Sequence, residues 1–239
     1  VLEERLLVGT QPRLDAFHAL LLDVPPESFR VPGVHVVASE RRARPSWGGY
    51  ITPIYALSTP SGGVVSVRAD LLPAVRRELA GAAPGRPLGE REFSKLRAIS
   101  QRAVPYAFSL TGDVLFTDPA HFRPTPLGAE QLARTDVRGA ELRRRFDGEI
   151  FVVNGAHGEI AAWAAIKLKS DQVWELAVVT EPAYRGRGLA KRVVSAATAY
   201  ILDHGRVPLY IHDRTNHASA RVCRALGYVE YAQTFFCEY

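Results

Sequence analysis

Apolar residues along the 239-residue chain recur at two spacings, and each spacing marks a class of element. Helical spacing appears first over residues 10–23, where Leu14, Phe17, His18, Leu21 and Leu22 share a face. Thr10 is placed to cap that helix, Pro12 suits its first turn, and Pro25-Pro26 stops it. His18, on the apolar face, reads as a packed core histidine. Short β-branched runs at 34–38, 50–57 and 64–67 predict strands, with Gly62-Gly63 as a hairpin turn between the last two. Residues 71–79 and 93–102 read as helices on either side of the loop 81–87. Residues 104–110 and 114–116 read as extended, around a Thr111-Gly112-Asp113 turn. The Pro-rich stretch from Asp118 to Pro126 is the best boundary. It divides an N-terminal accessory α/β domain, 1–117, from a second domain, 118–239.

In the second domain, 127–134 and 139–146 read as two short helices. Strands at 149–153 and 160–167 flank Asn154-Gly155-Ala156-His157-Gly158, a strong hairpin signal. The apolar run 173–180 reads as a buried strand, after which Pro182, Gly186 and Gly188 break regular structure. Helical spacing then resumes through Leu189, Val193, Ala196, Ala197, Tyr200 and Ile201, with Gly205 as the stop. Residues 207–212 form another strand. Asn216 is a good cap for a helix whose Ser219, Val222, Cys223 and Leu226 share a face. Gly227 ends it, and 228–232 and 234–239 close the chain as strands.

Composition narrows the class. With 47% hydrophobic and 23% charged residues the chain is ordinary for a globular protein. No apolar run approaches the roughly 18–20 residues of a membrane span, so no membrane partner is expected. The residues Glu3, Glu4 and Arg5 lack the form of a signal peptide. Two cysteines, Cys223 and Cys237, make no disulfide framework, and no Cys/His spacing matches a zinc site. A reducing cytoplasm and no metal are therefore expected. The net charge of +5 raises the question of nucleic acid. Its visible clusters, Arg41-Arg42 with Arg44 and Arg143-Arg144-Arg145, are short and lack interleaved aromatics. They read as solvated faces, and nucleic acid is not the expected partner.

The candidate chemistry lies where the 173–180 strand hands over to the following helix. Unpaired backbone N–H groups and the positive end of the helix dipole converge there, and Gly186 and Gly188 let an anion come close. Arg185 and Arg187 add fixed charge. The place suits a phosphate or diphosphate. A Rossmann fingerprint would need a third glycine where Lys191 stands, and the Gly-Lys-Ser/Thr of a Walker loop is absent.

Arg185-x-x-Gly188-x-Ala190, after a strand and opening a helix, resembles the pyrophosphate loop of GNAT-family N-acetyltransferases. The helix from Asn216 to Tyr228, with Gly227 eleven residues after its Asn, resembles that family's second signature. The element order over roughly 118–239 is similar to the GNAT fold, possibly of a subgroup with an extra N-terminal domain. This implies an α/β (α+β) architecture: a mixed, mostly antiparallel sheet flanked by helices, preceded by a smaller α/β domain. It also implies roles. Val178, Val179 and Thr180 would lie along the pantetheine arm, offering backbone hydrogen bonds like an added strand. Gly186, Arg187, Gly188, Leu189, Ala190 and Lys191, with Arg185, would hold the diphosphate of acetyl-CoA, the co-substrate. Asn216 and Ser219 would touch the cofactor, and pairing into a homodimer is a further implication.

Acetyl transfer needs a neutral amine, donors for the oxyanion and help for the departing thiolate. Glu175, a lone carboxylate in an apolar strand, is the base candidate; burial would raise its pKa. The alternative is a half-exposed or ion-paired Glu. The backbone N–H of Val178 or Val179 is placed to polarise the thioester. Many family members have a Tyr where this chain has Cys223, so a thiol acid and simple packing both stay open, and Tyr210 and His212 share a strand face nearby. The expected function is an acetyl-CoA-dependent N-acetyltransferase that acts directly on an amine in a ternary complex, its N-terminal part shaping the acceptor cleft. The alternative is a non-catalytic CoA-binding or regulatory module, or a basic nucleic-acid-associated protein of the same fold.

Overall fold

The computed structural model describes residues 9–82 and 86–239. Glu3, Glu4 and Arg5, and the middle of the 81–87 loop, lie outside them. The chain folds as two compact units: the described residues up to Val114 together with Tyr231–Tyr239, and Leu115–Glu230. The final residues thus belong with the first unit rather than with the 118–239 domain expected from sequence.

In the first unit, helix α1 (Thr10–Leu22) begins after Gly9 with no side-chain cap, so Thr10 lies inside the helix and does not cap it. Strands β1 (Val34–Ala38), β2 (Ile54–Ser58) and β3 (Gly63–Val67) follow, then α2 (Leu72–Leu79), α3 (Glu90–Ala103) and β4 (Phe108–Phe116). β4 is continuous through Thr111-Gly112-Asp113. The turn expected there does not form, and Arg97 instead donates to the Thr111 hydroxyl at 2.7 Å. The last strand, β10 (Val229–Glu238), is also continuous and pairs antiparallel with β2, Phe235 opposite Ala56. One sheet face packs Ile54, Val65, Val67 and Phe235 against Val75, Leu79, Phe93 and Leu96 of α2 and α3. Each such side chain, fully buried, contributes about 1.5–3 kcal/mol. His18 is buried as expected and stacks on Tyr231, ring centroids 5.1 Å apart.

Arg42 departs from the solvated face expected of it. It is 3% exposed, donates to the carbonyls of Leu21 (2.6 Å) and Thr52 (3.5 Å), and lies over the Tyr55 ring. Burial lowers its pKa. Its guanidinium satisfies a last-turn carbonyl of α1, which explains its inward turn.

The second unit holds β5 (Glu130–Gln131), α4 (Ala140–Arg145), β6 (Ile150–Asn154), β7 (Ile160–Lys167), β8 (Val173–Thr180), α5 (Leu189–Asp203), β9 (Val207–Asp213) and α6 (His217–Ala225). Its strands run in the order β9-β8-β7-β6-β5. All neighbours are antiparallel except β8 and β9, which are parallel. The helix expected over 127–134 is replaced by β5, which pairs with β6 (Glu130 opposite Val152). Val193, Val194, Ala197 and Ile201 of α5 pack on one sheet face with Leu176, Tyr210, Cys223 and Leu226. No helix among the described residues is long and apolar enough to cross a membrane.

Candidate functional site

The two ladders of β8 have different lengths. With β7 it pairs along its length, from Lys167 opposite Glu175 to Ala162 opposite Thr180. With β9 it pairs only over Val173, Trp174 and Glu175, opposite Val207, Pro208 and Leu209. The remaining five residues, Leu176–Thr180, extend beyond the last β9 rung. Backbone groups alternate sides along a strand. Glu181 N–H donates to Ala161 on the β7 side, and Gln172 accepts from Val207 on the β9 side. Even-numbered residues therefore face β9, so beyond the last rung Val178 and Thr180 turn their backbone groups toward the opened edge. Val179 points its backbone at β7, opposite Trp163. Of the two N–H groups expected to polarise a thioester, only that of Val178 faces the opening. The Thr180 carbonyl accepts from Arg185 Nε at 3.3 Å, and the buried Thr180 Oγ1 has no hydrogen-bond partner among the described residues.

The opened edge runs on into the glycine loop. Gly186 and Gly188 adopt φ +77° and +73°, left-handed conformations that favour glycine, and a Cβ on either would meet nothing within 4 Å. Gly188 is the N-cap of α5; it has no side chain to cap with, and the first turn carries no acidic residue. The leading N–H groups, from Leu189 through Lys191, thus lie without a side-chain cap at the positive end of a 15-residue helix. Arg187 lies over the Tyr184 ring at 5.3 Å and donates to the Ala183 carbonyl. Arg192, one turn in, donates to the Gly128 carbonyl at 2.9 Å. Tyr184 in turn donates to Glu159 across from the loop. The loop is thereby braced on both sides of its glycines.

Asn216 caps α6 as expected: its Oδ1 accepts from the Ser219 N–H at 3.0 Å. Ser219 Oγ lies 2.8 Å from the hydroxyl of Tyr210, which is 2% exposed and pushed up to about 12, chiefly by burial. The Tyr228 hydroxyl meets Thr198 Oγ1 at 2.7 Å, and burial raises its pKa also. His212 is buried, and its Nδ1 lies 2.9 Å from the Asp213 carbonyl.

Two residues expected to be catalytic have surroundings that favour the alternatives weighed for them. Cys223 is 0% exposed within the unit's core, and its Sγ donates to the Ala220 carbonyl at 3.2 Å. It is packing. Glu175 is ion-paired: Lys167 Nζ lies 2.6 Å from Oε1 and Lys169 Nζ 3.5 Å from Oε2. Burial alone would raise its pKa, but the two ammonium groups outweigh it and hold the carboxyl below its ordinary value. A base poised near neutrality requires the opposite shift. The signal was in the sequence, because a hairpin centred on Asp171 sets Lys167 opposite Glu175.

Comparison with known proteins bears on residues in this unit. Residues 117–228 match the family model described as the acetyltransferase (GNAT) family. No curated protein sequence matches the chain. Among solved structures, one assigned to the GNAT family from Novosphingobium aromaticivorans is 24% identical, with a TM-score of 0.46. The match covers 55% of this chain and 65% of that one, so the chain spans just under two thirds of that protein's length. A GCN5-related N-acetyltransferase-like protein from Streptococcus suis is 17% identical over 76% of this chain and 83% of its own, with a TM-score of 0.47. A Salmonella typhimurium protein, solved with acetyl-CoA as its cofactor, is 19% identical over 41% of this chain and 68% of its own, with a TM-score of 0.34.

Proposed function

Residues 117–228 are a GNAT-family acetyltransferase domain, and from that premise we propose that the chain transfers an acetyl group from acetyl-CoA to a primary amine. The observation that carries this reading is the opened β8 edge, Leu176–Thr180, running directly into the glycine loop and the helix start at Gly188 that no side chain caps. Coenzyme A carries an amide-bearing arm and a diphosphate. The Val178 and Thr180 backbone groups suit the first as a partial added strand. The Leu189–Lys191 N–H groups, with Arg185 and Arg187 beside them, suit the second. The orphan Thr180 Oγ1 offers one more polar contact. The amine attacks directly, with the Val178 N–H polarising the thioester. The ion-paired Glu175 organises β7 and β8 rather than taking the amine proton.

A second reading, a CoA-binding module without turnover, draws on the neutralised Glu175 and the buried Cys223. The nucleic-acid alternative loses ground, because Arg42 is buried and Arg143 donates to the Leu132 carbonyl. Acetyl-CoA consumption against a panel of amines separates the first two. Turnover with any amine supports the enzyme. Calorimetric binding of acetyl-CoA without turnover supports the module, and no binding removes both.

A further inference from the structure

The 154–159 turn between β6 and β7 reaches the glycine loop through one side chain. Tyr184, at the end of the short 3-10 helix Pro182–Tyr184 that leads into the loop, donates its hydroxyl to Glu159 Oε1. Gly155 makes room for this contact, because a Cβ there would lie 2.5 Å from Tyr184 Oη. The other carboxylate oxygen of Glu159 accepts from the His157 N–H at 3.0 Å. The turn is fastened from its far side as well. Arg138, paired with Asp136, donates to Asn154 Oδ1 at 3.0 Å and to the Gly158 carbonyl at 2.8 Å. Glu159 is thus an anchored acceptor, and it fixes the direction of the Tyr184 ring.

Arg187 lies on the face of that ring, its guanidinium carbon 5.3 Å from the centroid. Among the described residues Arg187 meets no carboxylate; the ring and the Ala183 carbonyl, at 3.3 Å, hold it. An ion pair would neutralise the guanidinium, whereas a ring positions it and leaves its charge available to an anion. Glu159 is engaged at the hydroxyl end of the ring and not by the cation. Resting on the acetyl-CoA reading, we infer that Tyr184, tethered by Glu159, is a positioning residue that holds Arg187 at the glycine loop for the phosphates of coenzyme A. A long exposed arginine otherwise has to be ordered on binding, a cost that a preset guanidinium avoids. The effect of Tyr184 therefore passes through Arg187 and falls on cofactor affinity.

The test is calorimetric binding of CoA to the full chain in a cycle of Tyr184→Leu, Arg187→Gln and the double variant, with folding checked by the Tm without ligand. Tyr184→Leu is expected to weaken CoA binding about two- to tenfold, the cost of ordering one long side chain. In the Arg187→Gln background the same change has no further effect, because no guanidinium is left to hold. Glu159→Ala removes a negative charge, which on charge alone should strengthen binding of a polyanion; loss of the tether weakens it instead. A merely structural role for Tyr184 would weaken binding by the same factor in both backgrounds. That result, or wild-type or tighter binding in Tyr184→Leu, Arg187→Gln or Glu159→Ala, overturns this inference and leaves the acetyl-CoA reading standing. Failure of the wild type to bind CoA overturns both. Should Tyr184→Leu not fold, Glu159→Ala with and without Arg187→Gln decides alone.

Discussion

Glu175 on β8 sits directly opposite Lys167 on β7, and their side chains meet at 2.6 Å. Lys169, from the turn between the strands, reaches the other carboxylate oxygen at 3.5 Å. The carboxylate therefore spends its charge on holding a hairpin together. Glu175→Gln is expected to cost about 1–3 kcal/mol, the range for losing a charge-assisted hydrogen bond and leaving its partners short. Because the folded pKa is depressed from 4.5, this contribution is present above that value and is lost as pH falls through the folded pKa. The Tm difference between wild type and variant should stay constant through neutral pH and close in acid. If turnover is found, its pH profile near neutrality should keep its shape in the variant. Loss of a basic limb would restore Glu175 as the base.

Asn216 can be a cap alone or a cap that also meets ligand. Capping alone predicts that Asn216→Ala lowers stability by about 0.5–2 kcal/mol, with CoA affinity unchanged. Asn216→Asp keeps the acceptor for the Ser219 N–H, so it should recover the stability. A fall in CoA affinity in Asn216→Asp at full stability, measured by calorimetry, would show that the amide contacts ligand directly.

What was legible in the sequence was local. The β8 strand, the glycine break, α5 and the Asn-capped α6 are each specified by residues within a turn or two of one another. The structure places them within a few residues of expectation. The misread stretches are those decided by distant partners. Glu130 and Gln131 lie in a segment with helical spacing, yet pairing with Val152 and Phe151 of β6 draws them into a strand. Thr111-Gly112-Asp113 has turn chemistry, but β4 carries it through in extended form. Likewise Arg42 looks like a surface cation until α1 offers it an orphan carbonyl. In the site, the glycine cradle could be read from spacing. The Tyr210–Ser219 hydroxyl pair needed β9 and α6 brought face to face; its sequence trace was only the alternation of Tyr210 and His212 along β9.

Gly227 marks where chain geometry is least forgiving. It has φ +83°, and a Cβ there would lie 1.9 Å from the His121 carbonyl oxygen. Its own carbonyl accepts from Thr117 Oγ1 at 3.0 Å, and the Arg123 N–H donates to neighbouring Leu226. Left-handed backbone alone costs an alanine about 1–2 kcal/mol, and the backbone clash adds to it. Gly227→Ala should lower Tm markedly more than Gly158→Ala, whose φ of +84° is similar but whose Cβ would meet nothing within 4 Å. Equal losses at the two sites would show that the 121–123 segment yields freely.

The glycine cradle permits a sharper separation of strain from ligand. Gly188 has φ +73°, and a Cβ added there would meet nothing within 4 Å, so alanine is strained but not obstructed. Gly188→Ala should lose about 1–2 kcal/mol of stability yet keep the α5 N–H groups free, so the rise in Tm on adding acetyl-CoA should survive. Gly188→Glu carries the same strain and adds a carboxylate where the helix dipole draws an anion. That side chain competes for the same N–H groups and repels a diphosphate, so the ligand-induced rise should vanish. At 100 times the dissociation constant the wild-type stabilisation is about 2.7 kcal/mol, several degrees for a domain of this size. A rise retained in the wild type and in Gly188→Ala but absent in Gly188→Glu places the diphosphate at the start of α5. A rise that survives in Gly188→Glu moves the anion elsewhere, whatever the affinity.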